Sequence, residues 1–269
     1  GIISALLFLF LPIHVEDVTS IVGRAELLAL LFSLCSLYAV VRGRYFWAGI
    51  AFFLGLFSKE TALAVLPIWI AWEYFLADRS IRAILKKSLF FGIPLVVYGI
   101  TRFAVLGEYV LSNDATAIYN PLKFTSFFNT LWTSGKIFFM YVQKMFVPTI
   151  FSSDYSFNQI PIIHNPFLSI ESMVGLVLLA GLLAFAFWKR RTFAGWVALL
   201  FLAFYVVISN LIFKTVTIMA ERLVYASSFG LVALVALGIE KLRKKIGREK
   251  VVYAMLGIVL IFYGYKTIQ

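Results

Sequence analysis

Along the chain, long apolar runs alternate with short charged breaks. The runs fall near residues 1–12, 19–41, 45–58, 61–76, 88–106, 167–188, 193–211, 223–239 and 251–265. A helix needs about 20 residues to cross a hydrocarbon core of about 30 Å, and somewhat fewer if its ends are sunk. Only helices can satisfy their backbone polar groups in lipid with flanks of this kind. The pattern therefore predicts an all-α, polytopic membrane helical bundle of about 9–11 transmembrane helices. Residues 121–150 break the pattern, because Lys123, Lys136 and Lys144 are spread among aromatics. That mixture predicts an interfacial helix, or helix pair, on the outer face. The spans 45–58 and 61–76 are short, which sinks the hairpin tip between them, at Lys59, below the membrane surface. No internal repeat or low-complexity linker divides the chain, so residues 1–269 read as one transmembrane domain. Gly1 opens inside an apolar run with no Met, basic segment or cleavage site before it. The start reads as that of a fragment rather than a signal peptide, with room for further spans upstream and an outer domain downstream.

Composition agrees with the pattern: 62% of residues are hydrophobic and only 14% charged, against about 25% charged in soluble domains. The lone cysteine, Cys35, lies in an apolar run and rules out a disulfide framework or a Cys-based metal site. The net charge of +11 could suggest nucleic acid, but the positions of the charges argue otherwise. Most basic residues sit in four short breaks, at 42–44, 78–87, 189–191 and 241–250. Lys and Arg resist translocation, so these breaks belong on the cytosolic side. Most of the acids, among them Glu16, Asp17, Glu60, Asp154, Glu171 and Glu221, then reach the outer face.

That face also collects the candidate chemistry. "PIHVEDVTSIVGRAE" brings His14, Glu16 and Asp17 in a loop, then Arg24 and Glu26 about a turn into the next helix. "FSKET" adds Lys59 and Glu60, and "AERLV" adds Glu221 and Arg222. Charged groups at membrane depth are costly and usually mark a functional path. Arg24, Lys59 and Arg222 suit the phosphate of a lipid headgroup. Glu16, with His14 beside it, is the candidate for proton transfer, and Glu60 and Glu221 are candidate supporting residues. Lone carboxylates without clustered ligands give no metal cage. Plainer readings stand beside these: His14 as a hydrogen-bonded structural residue, Asp17 as the N-cap of a helix starting near Val18, and Arg24–Glu26 or Glu221–Arg222 as packing pairs. A transporter or flippase for a lipid-linked saccharide would also want buried cations, but it predicts charge continuing to the cytosolic side and an inverted repeat. A non-catalytic membrane scaffold is the third alternative.

The order "PIHVEDVTSIVGRAELLALLF", "GLFSKETALAVLPIW", "SSDYS", "SNLIFKTVTIMAERLVYASSFG" resembles the transmembrane O-mannosyltransferases targeting cadherins and their bacterial relatives, over about residues 5–235. These are GT-C class glycosyltransferases that use polyprenyl-phosphate sugars, and many carry tetratricopeptide repeats after the membrane domain. The resemblance implies a GT-C-like bundle that moves a sugar, mannose in the named family, from a polyprenyl-phosphate carrier to a protein or glycan hydroxyl on the extracytoplasmic face. It implies no cofactor beyond the lipid-linked donor, and no nucleic acid. The membrane expected is a bacterial cytoplasmic one, with the endoplasmic reticulum as the alternative. By the resemblance, Glu16 and His14 match the P-x-H-x-E loop, Arg24 the G-R-A-E arginine, Lys59 and Glu60 the K-E pair, and Glu221 and Arg222 the A-E-R motif. The family often has His-Pro-x-His where this chain has Leu11-Pro12-Ile13-His14, and Val15 and Asp17 are less usual choices. A catalytic aspartate common in the class would fall in a loop preceding Gly1.

Overall fold

The computed structural model describes residues 1–107, 117–148, 151–152, 154–247 and 249–268. Glu108 and part of the long loop after it lie outside the described residues. Twelve α-helices are joined by short 3-10 and π turns, and the described residues contain no strand. The helices are α1 (Ile2–Leu9), α2 (Val15–Thr19), α3 (Arg24–Val41), α4 (Tyr45–Ser58), α5 (Val65–Ala71), α6 (Ile81–Lys87), α7 (Leu89–Leu106), α8 (Phe127–Phe146), α9 (Ile170–Trp188), α10 (Phe193–Ile208), α11 (Tyr225–Ile246) and α12 (Glu249–Ile268). This is the predicted polytopic helical bundle.

Among the described residues, five helical stretches are long and apolar enough to cross a membrane: α3, α7, α9, Glu221–Ile246 and α12. A sixth forms if α1 and Pro12–Thr19, bent by 58°, make one broken span. The bend falls at Pro12, whose ring and missing N–H bar an uninterrupted helix. The helices α4 and α10 are apolar but shorter, at 14 and 16 residues.

Burial explains why a short helix can serve at the centre. α10 is apolar on every side and feeds both cores. Phe201, Leu202 and Tyr205 pack into a cluster with α1, α8 and α11, while Trp196, Leu200 and Phe204 pack into a second with α3, α4 and α5. A helix hydrophobic all round belongs in such an interior. By contrast, α7 fully buries only Phe91, half-buries Leu95 and Tyr98 against the second core, and exposes most of its other apolar side chains, as a helix at the lipid boundary does.

The structure gives two predicted stretches their detailed form. The stretch expected as a span over 61–76 is helical throughout, as a 3-10 turn (Glu60–Ala64), α5 and a π turn (Trp72–Leu76). It starts after Lys59, whose backbone is extended while its side chain bonds to α3. The π turn buries Glu73, which meets Lys87 at 2.7 Å and the Tyr45 hydroxyl at 2.6 Å. Residues 121–150, expected to hold a helix or helix pair, form a 3-10 turn and then the single 20-residue α8. α8 buries a stripe of Thr130, Ser134, Phe138, Tyr141 and Met145 and exposes Phe127 and Phe128. Its crossing with α9 is made by two glycines: a Cβ on Gly175 would stand 1.8 Å from the Gly135 carbonyl oxygen. Small residues at such crossings let two membrane helices approach backbone to backbone.

Candidate functional site

The starts of α3 and α11 and the end of α4 meet at one end of the bundle, where three ion pairs converge from distant parts of the sequence. α2 delivers Glu16 to Arg222, with Oε1 2.6 Å from the guanidinium and Oε2 accepting the Arg222 backbone N–H at 3.0 Å. The end of α4 delivers Lys59 to Glu26, one turn into α3, at 2.5 Å, and Thr61 donates to the other Glu26 oxygen at 3.1 Å. Near its end α8 delivers Lys144 to Glu221 at 3.2 Å. The same Glu221 oxygen accepts the Tyr155 hydroxyl at 2.6 Å and the Ser152 N–H at 3.0 Å.

Asp17 lies among these groups. It is wholly buried, within electrostatic reach of Glu16, Glu26, Lys59 and Arg222, and neither of its carboxyl oxygens has a hydrogen-bond partner among the described residues. The N-cap expected of it is therefore not its role. Asp17 is inside α2, the N-cap of α3 is Gly23, and no side chain caps that helix. Gly23 is required at this place because a Cβ there would stand 2.3 Å from the Asp17 carbonyl oxygen. The turn folds the start of α3 directly onto the Asp17 backbone.

The remaining sequence candidates are placed less centrally. His14 is buried between the rings of Phe8 and Tyr225, at 4.5 and 4.6 Å, and its Nε2 shares a 2.8 Å hydrogen bond with Ser228. It supports the floor of the site. Arg24 is exposed, and its side chain makes no ion pair or hydrogen bond among the described residues. Glu60 turns to Arg102 of α7 at 3.5 Å. So of the three cations expected together, the structure gathers Lys59 and Arg222, and it adds Lys144. Sequence reasoning missed Lys144, which carries no signal beyond one lysine among aromatics. Tyr155 had a signal, since it lies in the "SSDYS" segment.

Asp154 flanks the cluster on the loop that Ser152 and Tyr155 tie to Glu221. It is exposed, its Oδ1 accepts the Ser156 N–H at 3.0 Å and its other oxygen accepts the Ser156 hydroxyl. Those two bonds, aided by the Arg222 charge, hold its carboxyl below the usual carboxylate range. Burial, together with the Glu221 carboxylate it donates to, pushes the Tyr155 hydroxyl up. Among the described residues, no group of three or more His, Cys, Asp or Glu side chains is arranged to hold a metal ion.

A half-open cavity of about 350 Å³ runs along the opposite half of the bundle, between α1, α3, α10 and α11. Its lining is apolar, with Leu34, Leu37, Trp196, Leu200 and Phe229 among it.

Fold and site together define a polytopic membrane bundle with a cluster of ion-paired side chains at one end. Over nearly its whole length, the chain is similar to named protein O-mannosyl-transferases. It is 26% identical to protein O-mannosyl-transferase TMTC3 of Homo sapiens over 304 aligned positions, covering 99% of this chain and 33% of the relative. It is 28% identical to protein O-mannosyl-transferase F38B6.6 of Caenorhabditis elegans, covering 98% and 38%. With protein O-mannosyl-transferase Tmtc3 of Drosophila melanogaster the identity is 24%, covering 99% and 35%. The resemblance carried by the motif order is borne out by these relatives. The chain spans about a third of the length of these relatives. No family model matches the chain, and no solved structure matches it.

Proposed function

We propose that this chain is the membrane part of a glycosyltransferase that moves a sugar from a polyprenyl-phosphate carrier to an acceptor hydroxyl at the extracytoplasmic face of a bacterial cytoplasmic membrane. The relatives' names favour mannose as the sugar and a protein as the acceptor. The observation that carries the reading is the meeting of Arg222 and Lys59 around Asp17, at the bundle end opposite the basic breaks. Lys and Arg in short loops tend to stay cytosolic, which supports reading this end as the outer one. A carrier's isoprenoid tail would stay among the apolar helices while its phosphate reaches the two cations.

The chemistry follows from the geometry. As the bond between the sugar's anomeric carbon and the phosphate oxygen breaks, negative charge grows on that oxygen. Cations already oriented in a pocket of low dielectric stabilise that charge without reorganising at the moment of reaction. Glu16 takes one terminal nitrogen of Arg222 and the backbone N–H, and a guanidinium has five N–H donors in all. Lys59 gives Glu26 one of its three. Both side chains are partly exposed, at 29% and 22%, so their remaining donors can turn to a phosphate. The carboxylates hold the cations in place before the ligand arrives.

Binding of a polyprenyl-phosphate-mannose to the detergent-purified chain tests the reading. Hydrogen bonds to charged groups are each worth about 1.5–3 kcal/mol, so Arg222→Ala should weaken binding about tenfold or more. Wild-type affinity in both Arg222→Ala and Lys59→Ala would remove the basis for the proposal.

A further inference from the structure

A carrier anchored by its tail reaches the site from within the bilayer, past helices that face lipid. One of these, α7, packs against α4, the helix that leads into Lys59, and turns Ile93, Ile100, Phe103 and Val105 outward. Among these apolar side chains stands Arg102, partly exposed and about 6 Å below the end of α7 by the rise of a helix. A lone arginine here would only snorkel to the headgroups. Arg102 is held instead. Its Nη1 donates to the Tyr98 hydroxyl at 2.6 Å, and the Tyr98 ring meets Phe57 of α4 edge-on at 5.5 Å. The guanidinium also meets Glu60 at 3.5 Å, against 2.5, 2.6 and 3.2 Å for the three ion pairs of the site. Its other terminal nitrogen and Nε make no hydrogen bond or ion pair among the described residues. The chain itself joins this looser pair to the site. At Lys59 the backbone is extended, with φ −162° and ψ 147°, and successive side chains of extended backbone point to opposite sides. Lys59 therefore turns to Glu26 of α3, where the pair is buried, while Glu60 turns to Arg102 at the lipid boundary.

We propose that Arg102 is a way-station on a lateral entry path: it receives the phosphate of the membrane-anchored carrier at the lipid boundary and hands it to Lys59 and Arg222. The inference rests on the glycosyltransferase reading. On arrival the phosphate displaces Glu60, whose pair with Arg102 is long and half open to solvent. Once the phosphate has moved inward, Glu60 takes the guanidinium back, which keeps Arg102 from holding the carrier at the rim. Glu26, fully buried, stays with Lys59 throughout. No covalent bond changes in this passage. Arg102 belongs to the path and not to the final site, so it sets how fast a carrier arrives from the bilayer and not how tightly it is held. The plain reading, in which Arg102 and Glu60 only brace α7 against the hairpin tip, makes the two residues equivalent. The way-station makes them opposites, because Glu60 competes with the phosphate for the cation.

The test times binding in phosphatidylcholine vesicles that hold the chain together with a long-chain polyprenyl-phosphate-mannose. The carrier's phosphate is masked by a photolabile ester, a flash frees it, and energy transfer from the chain's tryptophans to an anthraniloyl group on the carrier follows binding. A water-soluble analogue with two isoprene units, added by rapid mixing, serves as the carrier that need not come through the bilayer. Electrostatic steering raises association rates about tenfold or more. Arg102→Gln should therefore slow association of the long-chain carrier about tenfold, and dissociation by the same factor because it leaves by the same path, with affinity unchanged. Association of the short analogue should stay within about twofold of wild type. Arg102→Lys should keep most of the rate, and Glu60→Gln should equal or exceed wild type. A wild-type rate in Arg102→Gln, an equal loss of affinity for both carriers, or a slowing in Glu60→Gln as large as that in Arg102→Gln each overturns the way-station and leaves the glycosyltransferase reading intact. A wild-type chain that binds neither carrier overturns both.

Discussion

At the scale of single residues, the site is built from charges that neutralise one another across large sequence separations. Lys59 and Glu26 show what that means for stability. Glu26 is wholly buried, so removing its lysine leaves an uncompensated charge, which costs about 3 kcal/mol or more. Lys59→Met alone should therefore lower the denaturation midpoint in detergent sharply, whereas Lys59→Met with Glu26→Leu should recover most of the loss. Equal loss in the single and double variants would show that the pair contributes through packing rather than charge. Much of this site could be read in the sequence, because charged residues inside apolar runs stand out. Glu16, Lys59 and Arg222 were legible for that reason. What the sequence did not carry was the pairing. Nothing in the order of residues says that Lys59 meets Glu26 rather than its neighbour Glu60, or that Asp17 turns inward instead of capping a helix. Those outcomes depend on tertiary contacts that residue order does not carry, such as the close approach of α3 to the Asp17 backbone at Gly23.

At the scale of elements, the apolar pattern located the helices because lipid demands closed backbone hydrogen bonding wherever the chain crosses it. Within two stretches, 61–76 and 121–150, it could not show the tertiary bonds that polar side chains make: Lys59 and Thr61 reach Glu26 at the start of the first, and Tyr141 and Lys144 tie α8 to Ala220 and Glu221. The tight crossing of α8 and α9 is the element contact most open to challenge. At Gly175 an added methyl meets the Gly135 backbone, which cannot move as a side chain could. Gly175→Ala must push the helices apart, at a cost of about 1–3 kcal/mol or more, and would tilt the buried face that carries Lys144. A lowered thermal midpoint checks it; an unchanged midpoint would mean that the two helices do not cross at these glycines. Gly181, with open space around it, should tolerate the same change.

At the scale of the whole molecule, the charges divide the bundle into a basic end, at 42–44, 78–87, 189–191 and 241–250, and an end that carries the ion-paired site. The expected sidedness can be measured simply, because Cys35 is the chain's single cysteine. In a Cys35→Ser background, a membrane-impermeant maleimide applied to intact cells should label Gln159→Cys and spare Lys86→Cys; both positions are exposed. The reverse pattern would put the site in the cytosol and end the extracytoplasmic proposal. Two cores share α10 between them, so the halves of the bundle that supply Lys59 and Lys144 cannot shift independently.

The pairing of the site's cations has one more consequence, for selectivity in salt water. Lysines and arginines whose charge is already balanced by internal carboxylates offer little net attraction to chloride, a single ion that can engage few of their remaining donors at once. On the proposed function, the phosphate is joined to a membrane-anchored tail and so is confined to the bilayer beside the site. Because the cations' net charge is already balanced, binding should then respond weakly to ionic strength and strongly to carrier density in the membrane.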